Sequence, residues 1–240
     1  MLLLVMAAKA GNTPEQMTSL YLRAMVNYER DAARELNQLT AAPMKRQGLP
    51  LLDLNWIQQI HERAPAQFAD KLAKQRGESF REPARAMMTA QIALLKQVRC
   101  SVLDSREESQ GKLVFARVRY RCEGPDLLSG EEALRALLKD VYLARAEGGD
   151  LQQIERVALE RMAALYQAAR QTRTIEGEFS LQRFGSSKQP LWWSESGSML
   201  PQQVLAALLQ PVPCASSESR CDMNEVRQQL GLPRSSASDR

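Results

Sequence analysis

Apolar and polar residues alternate with a period of two between Val98 and Cys122, the most regularly patterned stretch of the chain. Val114, Ala116, Val118, Tyr120 and Cys122 fall on one side, and Leu113, Phe115, Arg117, Arg119 and Arg121 on the other. Alternation over that length predicts a half-buried strand. Val98, Cys100 and Val102 begin the same way, and the polar run Asp104–Lys112, with its glycine, reads as the turn between two strands. Pairing Cys100 with Cys122 sets Val102 against Tyr120 and Asp104 against Val118. A slip of one residue would turn Cys100 onto the arginine side. Opposed cysteines at a non-hydrogen-bonded site lie close enough to bridge, so a Cys100–Cys122 disulfide is expected. The alternative is a pair of buried free thiols.

Elsewhere the period is mostly helical. Thr13-Pro-Glu-Gln16 is a capping box, and Met17, Leu20, Tyr21, Ala24, Tyr28, Ala32, Leu36 and Leu39 continue at helical spacing, predicting one helix over about Pro14–Leu39. Pro43 and Gly48-Leu-Pro50 end it. Short helices are expected from Asp53 to Arg63 and from Pro65 to Lys74, then a longer one from Glu82 to Leu95 that leads into the hairpin. After Cys122, helices over Ser129–Arg145 and Asp150–Gln171 form an αα-hairpin about Gly148-Gly149. Alternation returns at Ile175, Gly177, Phe179 and Leu181. Gly185–Gln189 then turns the chain into Pro190–Glu195 as a second β-hairpin. Helices from Pro201 to Gln210 and from Met223 to Leu230 complete the reading. The predicted class is α+β: helices packed on an antiparallel sheet made of two β-hairpins separated by an αα-hairpin.

An opening helix followed by long antiparallel strands, over Thr13–Ser196, resembles the NTF2-like superfamily of cone-shaped α+β domains found in exported bacterial proteins. The αα-hairpin between the β-hairpins departs from that family's usual strand order. The resemblance implies a fold and a small-ligand pocket, and assigns no residue a role.

Composition narrows the setting. The 240 residues are 44% hydrophobic and 25% charged, an ordinary mixture for a globular chain. The pI is near 9.0, but 32 basic residues stand against 28 acidic ones, too even a mixture to indicate nucleic acid. No apolar run approaches the roughly 18 residues of a membrane span. Met1–Ala10 is apolar and ends in Ala8-Lys9-Ala10, a small-x-small site. It reads as the remnant of a signal peptide whose start lies upstream, or else as the start of an apolar element. Four cysteines in two pairs, Cys100/Cys122 and Cys214/Cys221, fit disulfides in an exported protein. The expected location is the periplasm. The expected organisation is a leader remnant over 1–10, one α+β domain over 11–210, a disulfide-closed extension over 211–232 and a disordered tail over 233–240.

Catalytic signals are weak. His61 is the single histidine, without a zinc motif or a second base, and reads as a helix surface residue. No phosphate-binding, nucleophile-elbow or dinucleotide motif occurs. No catalytic residue, metal or cofactor is expected. The candidate contacts are Arg99, Arg117, Arg119 and Arg121, as an electropositive sheet face, with Trp192 and Trp193, of which one ring must face each side of the sheet. Glu176 and Glu178 are expected opposite the arginines; two acids leave three guanidinium groups partly unmatched. The same pattern also fits a solvated, charge-balanced face. The reading is a non-catalytic periplasmic protein of the inhibitor or immunity type that binds another protein bearing an acidic surface, and neither nucleic acid nor membrane. The alternative is an NTF2-like small-ligand or enzymatic pocket lined by a tryptophan, Tyr120 and the arginines. Mass spectrometry of the protein exported with its full leader should find no free thiol and an N-terminus at or near Gly11. Four alkylatable thiols would sink both the disulfides and the export.

Overall fold

A computed structural model describes residues 13–48, 50–111, 113–127, 136, 139–140, 150–169, 172–184 and 191–209. The expected leader remnant, the Gly148-Gly149 turn and most of the Ser129–Arg145 helix, the Gly185–Gln189 turn, the Cys214–Cys221 loop, the Met223–Leu230 helix and the tail lie outside the described residues. The stretch 11–210, read as one domain, is shared between two compact units. One takes in Met1–Ile60, Leu95–Glu123 and Thr174–Val204; the other takes in His61–Leu94, Gly124–Arg173 and Leu205–Arg240.

The first unit carries the helix-on-sheet core. Helix α1 (Pro14–Tyr21) begins at the expected capping box: Thr13 Oγ1 accepts the Gln16 N–H at 3.2 Å, and Gln16 Oε1 accepts the Thr13 N–H at 3.2 Å. The single long helix expected up to Leu39 does not form. A π-helical turn (Leu22–Val26) follows α1, Tyr28 takes the left-handed φ of 57°, and α2 (Arg30–Gln47) starts afresh. The break has a tertiary cause. The Asn27 amide donates to the backbone carbonyls of Leu95 and Val98, at 3.1 and 2.7 Å, so the chain turns out of its helix to tie down the start of the sheet. Helix α2 runs on through Pro43, where an end was expected. The short helix α3 (Leu54–Gln58) opens on Asp53, whose carboxylate accepts the Asn55 and Trp56 N–H groups.

Four antiparallel strands follow in the order β1 (Arg99–Gln110), β2 (Leu113–Pro125), β3 (Thr172–Phe184), β4 (Leu191–Trp193). Cys100 pairs with Cys122 and Val102 with Tyr120, as expected, and the two cysteines are bonded at 2.02 Å. Beyond them the expected register is wrong by one residue. A bulge between Val102 and Asp104 sets Asp104 opposite Arg119 and Ser105 opposite Val118. The polar run is also not a loop: β1 continues to Gln110 and turns at Gly111. The buried side of the sheet holds Ala116, Val118, Tyr120, Ile175, Phe179, Leu181 and Trp192. Tyr21 meets Phe179 edge-on, with ring centroids 5.3 Å apart. The Ser105 hydroxyl bonds to the Glu15 carboxylate of α1.

The second unit is mainly helical over its described residues: α4 (Ile60–Arg76), α5 (Arg81–Leu95, which hands over to the first unit at its last residue) and α6 (Leu151–Ala168). The expected break at Pro65 is absent. Pro65 lies inside α4, and the interruption falls at Gln59. Arg81 binds Asp70 and Glu78, and Arg161 meets Asp140 at 2.9 Å. The last helix, α7 (Leu200–Leu209), is shared by the two units.

Two close approaches hold the first unit together and require glycine. A Cβ on Gly177 would lie 2.4 Å from the Tyr120 ring and hydroxyl, and one on Gly197 would lie 2.6 Å from the Tyr21 ring. Gly177→Ala is therefore expected to destabilise the protein by about 1–3 kcal/mol, as overpacking of a filled core does. The loss measured by urea unfolding should shrink when Tyr120→Leu is added. Additive losses would show that the two side chains do not compete for the same space.

Candidate functional site

The outer face of the sheet carries the predicted contact residues, and its two ends differ. At one end lies the arginine ladder. Arg121 reaches Glu176 at 2.8 Å, and Arg119 reaches Asp104 at 3.0 Å and Glu176 at 3.5 Å. Arg117 reaches Glu108 at 3.3 Å and Glu178 at 3.4 Å, and Arg106 spans Glu108 and Glu178 at 3.3 and 3.9 Å. Four guanidinium groups thus meet four carboxylates among the described residues. The expected surplus of positive charge is absent because the polar run belongs to β1 and contributes Asp104 and Glu108 as well as Arg106. The Arg121 hydrogen bond to Glu176 holds that carboxyl below its ordinary value, with Arg119 adding to the effect. These side chains are 35–63% exposed, so the pairs fix geometry more than they add stability. Arg99 stands apart: its guanidinium donates to the Lys96 and Val98 carbonyls at 2.9 and 3.2 Å.

At the other end the same face is apolar. Leu113 is 47% exposed, Phe115 follows two residues on, and Phe184 and Trp193 meet edge-on with centroids 5.7 Å apart. Strand register places Gln182 opposite Trp193 and Phe184 opposite Leu191, so Trp193 shares the outer face with Phe184. A depression of about 180 Å³ opens between Phe115, Ser180, Gln182, Trp193 and Ser196. The tryptophan pair divides as expected: Trp192 is 2% exposed in the core, with the Arg183 guanidinium 6.0 Å from its ring, and Trp193 faces outward. The pocket expected between a tryptophan, Tyr120 and the arginines is not assembled, since Tyr120 lies on the buried side and the arginines on the open one.

A larger cleft, missed in the sequence, lies beside α2. It encloses about 330 Å³ between Tyr21, Met25, Leu36, Met44, Leu52 and Trp193. Asn37 shapes it by bonding both the N–H and the carbonyl of Leu52, at 2.9 and 2.8 Å, which folds the Pro50–Leu52 segment back over the helix. The signal available beforehand was the Gly48-Leu-Pro50 turn, but nothing local said where the chain would land after it.

His61 is 53% exposed on α4, 3.6 Å from Glu62. Among the described residues no three His, Cys, Asp or Glu side chains gather to hold a metal, and no helix is long and apolar enough to cross a membrane. Comparison with protein-family models, curated proteins and solved structures finds no match to this chain.

The ladder makes a pH-dependent contribution whose sign follows from Glu176. Its folded-state value lies below the ordinary 4.5, so its contribution is present above pH 4.5 and is lost as pH falls through the lowered value. Glu176→Gln is expected to lower the melting temperature at pH 7, less so in 1 M salt, and to leave it unchanged at a pH where the native carboxyl is protonated. Equal melting curves at pH 7 and low salt would refute the pairing.

Proposed function

We propose that the protein is a non-catalytic binding protein of the bacterial envelope, an inhibitor or immunity-type protein that neutralises an effector or accessory envelope protein, and that Trp193 anchors the contact. The observation that carries this reading is the apolar end of the outer sheet face, where Trp193, Phe184, Phe115 and Leu113 adjoin a ladder of partly exposed ion pairs. Aromatic anchors ringed by polar groups are the usual build of a protein–protein contact. The Cys100–Cys122 bond supports export into an oxidising compartment. The ladder adds a condition on the partner. An acidic surface docks there only by drawing guanidinium groups away from Asp104, Glu108, Glu176 and Glu178, so the fitting surface alternates in sign instead of being uniformly acidic.

The test is affinity capture from envelope extract with the full chain, followed by binding measurements on the recovered partner. Trp193→Ala should weaken binding by at least 2 kcal/mol, about the hot-spot threshold. Leu113→Glu should weaken it as well, while leaving the fold intact because Leu113 is already exposed. Arg119→Glu should slow association and change its salt dependence. Binding indifferent to all three at both low and high salt would move the contact off this face.

A further inference from the structure

We infer that the cleft beside α2 is a binding site for a neutral, largely apolar small molecule bearing one hydrogen-bond acceptor. The volume of about 330 Å³ falls within the roughly 300–1,000 Å³ of small-molecule sites. Its walls are mainly aliphatic and aromatic, with Met25 and Met44 able to shape themselves to an irregular guest. None of the described lining side chains carries a charge, so an ionised ligand would enter without a partner, which is strongly unfavourable in an apolar site.

The polar groups are few and mostly committed. Asn37 is spent on Leu52, and Thr40 donates to the Leu36 carbonyl at 2.8 Å. Tyr21 is different. Its hydroxyl accepts the Ser194 N–H at 3.3 Å, and the phenol keeps its own proton to donate. Burial pushes that proton's pKa up to about 12, with the Ser194 bond acting the other way, so the group remains a donor throughout the physiological range.

The site is also built in advance. The Tyr21 ring is held between Phe179 and the bare Cα of Gly197. The π-helical turn that carries Met25 to the cleft ends two residues before the left-handed Tyr28. π-Turns and non-glycine residues at positive φ both persist where surrounding structure maintains them, commonly at binding sites.

The cleft and the outer-face contact share Trp193, but Met44 and Leu51 line the cleft alone and Leu113 belongs to the outer face alone, so either reading can fail without the other. The probe is 6-propionyl-2-dimethylaminonaphthalene, a neutral fluorophore whose ketone is the acceptor and whose emission reports both polarity and hydrogen bonding. Titration of the full chain should give saturable, blue-shifted emission at one site. Met44→Trp and Leu51→Trp should each weaken binding at least tenfold by filling the cleft or its rim. Leu51 is 45% exposed, so that variant keeps the fold if Met44→Trp does not. Tyr21→Phe should weaken binding about two- to tenfold, the worth of one neutral hydrogen bond, and shift the bound emission further to the blue. Leu113→Glu, on the outer face, should bind the probe as the parent does. Absence of saturable binding, or binding indifferent to both tryptophan variants, overturns the site. Unchanged affinity and emission in Tyr21→Phe overturns the assignment of an acceptor-bearing ligand.

Discussion

The buried side of β2 sets the terms for the first unit. Ala116, Val118, Tyr120 and Cys122 must all leave water together, because a strand's side chains alternate and no single one can be turned independently. Cys122 is tied to Cys100 on one neighbouring strand, and Tyr120 fills the space that Gly177 leaves open on the other. With both flanks pinned, the register of three strands follows. Arg117, Arg119 and Arg121 are then forced outward whether or not anything awaits them there.

The bulge between Val102 and Asp104 resolves the conflict this creates on β1. In an unbroken register Cys100 and Val102 would be followed inward by Asp104, Arg106 and Glu108. Burying those charges unpaired would be far more unfavourable than the lost ladder bond of a bulge. One extra residue reverses the alternation, so that Asp104, Arg106 and Glu108 emerge on the arginine side and Ser105 turns in toward Glu15. The bulge thus supplies both a satisfied inner face and a charge-matched outer one. It also explains how so polar a run remains a strand: its charges are neutralised across the sheet, and charges along an edge strand discourage pairing with foreign strands.

Much of this was legible in the residues. The Cys100–Cys122 pair, the alternation of β2 and β3, the capping box at Thr13 and the division of labour between Trp192 and Trp193 all follow from local pattern. What stayed hidden has a common cause. The helical spacing of Ala24, Tyr28 and Ala32 runs straight through the break at Asn27, because the break answers to carbonyls at Leu95 and Val98, about seventy positions away. The Asp104–Lys112 run has the composition of a loop because its charges are matched across the sheet, by Arg117 and Arg119 of β2 and Glu178 of β3. The cleft depends on Asn37 catching Leu52 and on Gly197 admitting Tyr21. Each of these is a long-range bond made by a residue whose own neighbours give no sign of it.

Tyr21 shows why the apolar sheet end and the cleft lie so close together. One ring touches Phe179 on β3 and Gly197 in the turn after β4, and its hydroxyl takes the Ser194 N–H next to Trp193. Strand β4 is only three residues long, too short to be held firmly by ladder bonds alone. Its position comes from this contact with α1 and from the burial of Trp192. The packing that seats Trp192 inward sends Trp193 outward, and Trp193 then forms a wall of both the outer depression and the cleft beside α2. A substitution at Tyr21 or Gly197 therefore acts on both places through one indole, whereas Leu113 and Arg119 reach only the outer face. That asymmetry follows from geometry alone: Leu113 and Arg119 separate the two sites, and Tyr21 and Gly197 couple them.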